Sequence, residues 1–276
     1  MNEKIVCRRL ETLEEFIDCT KLQREVWGEH WRETISPEFM KVHAEMGALI
    51  MGAFVDGRMI GFVYSFPGNR RGEALHWSHM LAVADDFRGT GLGKRLKWLQ
   101  REELLMQGFG KCCWTFDPLQ PLNTRLNIVT LGAYADEYIV DAYGTRESGL
   151  DCGLPSDRFV AKWDLLERGV AERAAGVQRR RMTAPAEIAP VLELAEAGGR
   201  LLPGAKHLKL KARLPGVAIP ADIREIIEAS REAGLQWRLA TREIFQNCFE
   251  RGYALVDVLD PSESGSGCYV DVLERR

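Results

Sequence analysis

The stretch Arg88-Gly89-Thr90-Gly91-Leu92-Gly93 constrains this chain more than any other. A β-type run, His76 to Val83, leads into it, and a helical run starts directly after it. Glycines at 89, 91 and 93 let the backbone approach a ligand closely and turn several N–H groups toward it. The helix that follows adds the positive end of its dipole. Such a strand–loop–helix junction is a cradle for a pyrophosphate, so it implies a nucleotide-type ligand.

The kind of cradle can be narrowed by elimination. The dinucleotide fingerprint needs a third glycine where Lys94 stands. A Walker loop needs glycine where Arg88 stands and Ser or Thr where Arg95 stands. The pattern that remains is R-x-x-G-x-G, on Arg88, Gly91 and Gly93.

Composition bounds the rest. A chain of 276 residues, 46% hydrophobic, is large enough for one big domain or two smaller ones. A net charge of -3 supplies no general basic field for nucleic acid. No apolar run is long enough to span a bilayer. Met1-Asn2-Glu3-Lys4 is not followed by a signal-type apolar stretch. Seven scattered cysteines without a C-x-x-C pair argue against a disulfide framework or a metal site. A reducing, cytoplasmic setting is the expectation.

Along the chain, Ile5 to Leu10 reads as a strand, and Thr12 with Glu15 forms a capping box that opens a helix to about Val26. Glu38 to Ala44 reads as a second helix. Ala48 to Val55 and Met59 to Phe66 read as strands joined by the hairpin turn Asp56-Gly57, with Pro67 to Gly72 as a polar loop. Glu73 to Val83 is a long fourth strand, and a helix runs from Gly93 to about Gln107. Lys111 to Phe116 is a fifth strand, Leu122 to Leu131 a helix ended by Gly132, and Tyr134 to Ala142 and Phe159 to Leu165 the last strands of this half.

The expected division is 1–166 as the first domain, 167–184 as a linker and 185–276 as a smaller α+β extension. In that extension Pro185 to Glu196 reads as a short helix and His207 to Leu214 as a strand. Pro220-Ala221-Asp222 opens helical sequence that runs to about Glu250. Ala254 to Leu259 and Cys268 to Leu273 read as strands. Helix, glycine, strand, turn, strand repeats the end of the first half, so the extension reads as a degenerate half-repeat.

The order β-α-α-β-β-β-α-β-α-β-β, with R-x-x-G-x-G between the fourth strand and the next helix, resembles the GNAT superfamily of N-acetyltransferases over about residues 4 to 165. Ser78-His79-Met80, Trp114-Thr115-Phe116-Asp117-Pro118-Leu119 and Gly153-Leu154-Pro155-Ser156-Asp157-Arg158-Phe159 with Trp163 are similar to a largely uncharacterised branch of predicted acetyltransferases. The tail strings Trp237-Arg238, Thr241-Arg242 and Gly252-Tyr253 fit the same branch. The resemblance implies an α/β (α+β) fold, a mixed, mostly antiparallel sheet flanked by helices, and acetyl-CoA or another acyl-CoA as cosubstrate, with no metal. By resemblance, Arg88, Gly89, Thr90, Gly91, Leu92, Gly93 and Lys94 hold the pyrophosphate. The backbone of Leu81, Ala82 and Val83 holds the pantetheine arm, and Asn123 contacts the cofactor. Strands four and five splay apart to admit that arm, and the thioester sits near Asp117. A pairing of Arg88 with Asp85 or Asp86 is compatible with this.

The activity implied is N-acyl transfer to an amine, most simply from acetyl-CoA to the primary amine of a small or amino-acid-like acceptor. His79 is the first candidate for the base, since an unperturbed imidazole titrates near neutrality. His76, Glu73 and Asp117 are alternatives, and a structural role for His79 or Asp117 is the competing reading. Many family members carry a Tyr four residues before the glycine that ends the fourth helix; here that position is Ile128. Tyr134, Tyr138 or Tyr143 from the next strand, or water, is the substitute proton donor. The gap at Ile128 motivates an alternative, a non-catalytic acyl-CoA-binding or sensing protein.

The segment around His30 and Trp31 and the loop at Asn69, Arg70 and Arg71 are expected to frame the acceptor. Arg179, Arg180 and Arg181, with Lys206, Lys209, Lys211 and Arg213, make the later part locally basic. Strand alternation places Lys209, Lys211 and Arg213 on one face. An ordinary solvated face accounts for them, and a nucleic-acid surface is the alternative. The extension is expected to cover the acceptor site or to form a homodimer interface.

Overall fold

The computed structural model describes residues 4–29, 34–144, 153–177 and 185–276. His30, Trp31, Arg179, Arg180 and Arg181 lie outside the described residues. The first stretch holds β1 (Val6–Arg9), α1 (Leu13–Trp27), α2 (Pro37–Glu45), β2 (Leu49–Val55), β3 (Arg58–Arg70) and β4 (Glu73–Val83). It continues through α3 (Leu92–Met106), β5 (Lys111–Phe116), α4 (Pro121–Arg125), β6 (Tyr134–Ile139), β7 (Arg158–Asp164) and α5 (Arg168–Ala174). The later stretch holds β8 (Ala189–Pro190), β9 (Leu192–Ala197), β10 (Arg200–Lys206), β11 (Pro215–Ile219), α6 (Ile223–Ala229) and α7 (Arg231–Glu250). It ends with β12 (Tyr253–Leu259), α8 (Pro261–Ser264) and β13 (Tyr269–Arg275).

The chain divides into two compact units, Met1–Trp114 with Trp163–Ala174 and Thr115–Lys162 with Ala175–Arg276. In the first, the strand order is β1-β2-β3-β4-β5. Pairs are antiparallel up to β4, and β4 and β5 run parallel. The Asp56-Gly57 turn has φ of 47° and 84°, as a type I′ hairpin requires. β3 runs on through Pro67 to Arg70, so the expected polar loop at 67–72 shrinks to a turn around Arg71 and Gly72. Pro67 is accommodated at the half-buried, outer part of the strand. The Thr12–Glu15 capping box opens α1 as expected. Phe16, Met40, Phe62, Tyr64 and Met80 join α1 and α2 to one face of this sheet in a single apolar cluster.

The other face, under α3, holds a buried lysine and a buried histidine with their polar partners. Lys97 is 3% exposed. Its Nζ donates to Gln100 Oε1 at 2.7 Å and Ser78 Oγ at 3.1 Å. It also lies 3.8 Å from the centroid of Trp114. Burial brings its pKa down to about 8.

His76 is fully buried, with Nδ1 at 3.1 Å from Ser65 Oγ and its ring edge-on to Phe109. Burial lowers its pKa to about 4, which makes it a neutral core residue and removes it as an alternative base. A folded-state value below the unfolded one means that its contribution is complete above the unfolded pKa and drains away as pH falls toward about 4. The expected result is acid destabilisation by up to about 3 kcal/mol across that window. His76→Gln should flatten it, as read by urea unfolding at a series of pH values; an unchanged slope would overturn the assignment.

In the second unit, the strand order is β7-β6-β12-β13-β11-β8, antiparallel except for β11 with β8, and β9–β10 forms a separate hairpin. Phe245 and Phe249 of α7 pack on Phe159 of β7, with centroids 4.7 and 5.7 Å away. Leu214, Leu259 and Val272 form a separate small cluster with Ile188 and Val270. The helical sequence from Asp222 is interrupted at Ser230, whose hydroxyl caps α7 by accepting from Ala233 N.

Two expectations fail here. Pro185 to Glu196 is not a helix: Pro190 interrupts it, and Leu192–Ala197 pairs with Arg200–Lys206 across Gly198-Gly199. Those two glycines have φ of 60° and 73°, the turn geometry a tight hairpin selects. His207 to Leu214 is not a strand but the connection between β10 and β11, so alternation does not organise Lys209, Lys211 and Arg213.

Candidate active site

The glycine-rich loop sits at the N-terminus of α3. Gly91 is the N-cap residue, in the left-handed region at φ 86° and ψ 4°. The first-turn N–H groups of a helix have no partner within it. In α1, α2, α6 and α7 a side chain meets that need, from Thr12, Ser36, Asp222 and Ser230, whereas the short α4, which opens on Pro121, has no side-chain cap. The N-cap of α3 has no side-chain cap, and its first turn has no acidic residue. A Cβ added at Gly89 or Gly91 would meet no atom within 4 Å, so both glycines border open space. The Gly93 position is filled from behind by Leu81 and Val83 of β4, 3.7 and 3.8 Å from an added Cβ. Uncapped donors, a helix dipole and open space suit a pyrophosphate. Thr90 is turned inward, donating to Phe87 O at 2.7 Å, and Arg88 pairs with Asp85 at 2.9 Å.

β4 carries two irregularities beside this loop. Its register with β3 shifts between Tyr64↔Met80 and Ser65↔Ser78, so His79 is the extra residue of a bulge. Plain alternation would put His79 on the face of Leu81 and Val83. The bulge turns it toward the opposite face, where its ring lies 5.9 Å from that of Tyr64 and 6.0 Å from that of Phe66. Pairing of β4 with β5 occurs at His76↔Cys112 and Trp77↔Cys113. Beyond Trp77, among the described residues, β4 has ladder partners on β3 alone, so the opposite backbone edge of Leu81, Ala82 and Val83 is outside a ladder.

His43 of α2 completes this cluster. Its Nδ1 shares a hydrogen bond with the Tyr64 hydroxyl, and its ring lies 5.5 Å from that of Phe66. Burial holds the imidazole below its usual pKa and pushes the phenol well above its own. At neutral pH, Tyr64 is therefore the donor and neutral His43 the acceptor. Sequence reasoning missed His43 and Tyr64. Each sits on an ordinary amphipathic element, and only the packing of α2 on β3 brings them to His79.

The remaining expected residues lie in the second unit. Asp117 Oδ1 accepts from Arg238 Nη1 at 2.7 Å and Oδ2 from Arg238 Nη2 at 3.0 Å, while Oδ1 also accepts from Leu119 N. The two side chains are 9% and 1% exposed. This fork-to-fork pairing makes Asp117 an anchor rather than a free proton acceptor. Asp157 holds a second fork from Arg242 and accepts from Tyr138, which takes Tyr138 out of the pool of proton donors. The Tyr143 hydroxyl is 2.9 Å from Thr115 Oγ1. Tyr134 is half-buried on β6, with the Arg276 guanidinium 3.7 Å from its ring centroid. Asn123 is exposed and accepts from Asn127. Ile128 is buried, on a widened turn where Leu131 N–H reaches back to Leu126 O.

Residues 11–119 match the Acetyltransferase (GNAT) family. The match spans less than half of the chain. No curated protein matches the chain in sequence. Among solved structures, it is similar to the ribosomal-protein-S18-alanine N-acetyltransferase from Escherichia coli, at 16% identity and a TM-score of 0.47 over 60% of this chain and 97% of that one. It is also similar to an acetyltransferase of the GNAT family from Streptococcus pneumoniae, at 14% identity and a TM-score of 0.47 over 58% and 98%. A third is the PaiA N-acetyltransferase from Thermoplasma acidophilum in complex with coenzyme A, at 17% identity and a TM-score of 0.42 over 58% and 99%. Among the described residues, no helix is long and apolar enough to cross a membrane.

Proposed function

We propose that this chain is a GNAT-type acyltransferase, transferring an acyl group, acetyl in the simplest case, from acyl-CoA to the primary amine of a small or amino-acid-like acceptor. The observation that carries this is the uncapped N-terminus of α3 opening from the family's glycine loop. The N–H groups of Leu92, Gly93 and Lys94 would hold the pyrophosphate, and the free edge of Leu81–Val83 would hold the pantetheine amides. When bound, the acyl-CoA supplies the thioester carbonyl that the amine attacks.

His79 is the proposed base. The β4 bulge presents it, exposed, against Tyr64 and Phe66, where its imidazole can take the proton released by the attacking amine. The Tyr64–His43 pair, uncharged at neutral pH, orients the cluster without competing for that proton.

The experiment is an amine panel with acetyl-CoA and a thiol readout of CoA release. Acylation of at least one amine is the expected result; acetyl-CoA binding with no turnover across the panel would count against an enzyme. With an acceptor in hand, His79→Gln should lower kcat by about a hundredfold or more. Acetyl-CoA affinity should stay within a few-fold, and the acidic limb of the pH–rate profile should disappear. An unchanged limb would exclude His79 as the base.

A further inference from the structure

Lys211, Ala212, Arg213, Tyr253, Glu274 and Arg275 line a cleft of about 400 Å³ in the second unit. We propose that this cleft binds a small phosphate monoester, at a site separate from the α3 loop and not dependent on the acyl-transfer reading. Its charge is the first reason. Three cationic side chains meet one carboxylate, and that carboxylate is engaged: Glu274 Oε1 accepts from Arg213 Nε at 3.2 Å and Nη2 at 2.9 Å. Lys211 and Arg275 have no carboxylate partner among the described residues. Two uncompensated cations match the charge of a phosphate monoester dianion.

The second reason is rigidity. Tyr253 is 2% exposed and donates from its hydroxyl to Ala212 O at 2.8 Å, which fixes the Lys211–Arg213 connection to the start of β12. The Arg275 guanidinium rests 5.2 Å from the centroid of the same ring, a placement that leaves its N–H donors in its own plane available to an anion. The chain as a whole is acidic, at -3, so this is a local basic site rather than part of a general basic field. The cleft's size admits a phosphate with a small attached group.

The test is calorimetric titration of the full chain with inorganic phosphate at low ionic strength, with acetate as a singly charged comparator. Saturable phosphate binding that exceeds acetate binding is expected. Lys211→Ala and Arg275→Ala should each weaken it by about tenfold or more. Gly91→Trp, which fills the α3 loop, should leave unchanged the binding that Lys211 and Arg275 support, and so separates the two sites. Absence of saturation up to roughly 10 mM phosphate, a range that still detects millimolar sites, would overturn the proposal. So would binding that neither cleft variant alters. An RNA oligonucleotide without terminal phosphates that binds with the same dependence on Lys211 and Arg275 would replace it with a polyanion surface.

Discussion

Arg238→Ala is expected to destabilise the second unit by about 3–5 kcal/mol, as for other buried pairs that lose one partner. Asp117 would keep a charge in a site 9% exposed, with one backbone N–H from Leu119 in place of the two-pronged guanidinium. Asp117→Ala should cost a similar amount, because Arg238 is 1% exposed and its Nε already lacks a hydrogen-bond partner. The double change to Arg238→Met and Asp117→Leu should recover much of the loss, since apolar replacement of a buried pair is often neutral or better. Urea unfolding followed by tryptophan fluorescence, to which Trp237, buried on the same helix, contributes, reads all three. Single variants within about 1 kcal/mol of the parent, the usual ceiling for an exposed pair, would show that this pair is not buried as described. The same variants bear on catalysis. If Asp117 anchors rather than accepts a proton, the double variant should retain turnover wherever it folds.

Gly91→Trp is expected to weaken acetyl-CoA binding by more than about a hundredfold, the loss of one or two charge-assisted hydrogen bonds. Two effects combine. A side chain at φ 86° is strained, by about 1–2 kcal/mol. It also projects into the open space bordering the uncapped N–H groups of α3. Strain alone is controlled by Gly57→Trp. Gly57 has φ 84°, also has nothing within 4 Å of an added Cβ, and sits in the β2–β3 hairpin turn. That variant should lose similar stability and keep its affinity. Equal affinity losses in both would mean that the effect is unfolding and not occlusion. An unaffected Gly91→Trp would place acyl-CoA somewhere other than the α3 loop.

The parts of the candidate site that could be read from sequence are those with local requirements. A strand-to-helix junction that presents N–H groups needs left-handed φ within a few residues. Gly89 and Gly91, both at positive φ, meet that need within one short stretch. The Asp56-Gly57 turn and the Thr12 capping box are local in the same sense. The hairpin at Gly198-Gly199 has an equally local signal, set in an Ala- and Glu-rich segment. Pro190 and the paired glycines are the decisive residues there, not average helix propensity.

What the sequence by itself determined is the element order of the first half, the glycine loop and its position before α3, and with these the likeness to the GNAT family over residues 11–119. What only tertiary structure decided is which side chains meet. The exposure of His79 depends on the register of β4 against β3, where one extra residue changes the face it occupies. The fate of Asp117 depends on Arg238, 121 residues away. No periodicity in either segment specifies that encounter. A short-range pattern records what the backbone needs locally, whereas a buried charge is settled by whatever the fold brings within hydrogen-bonding distance.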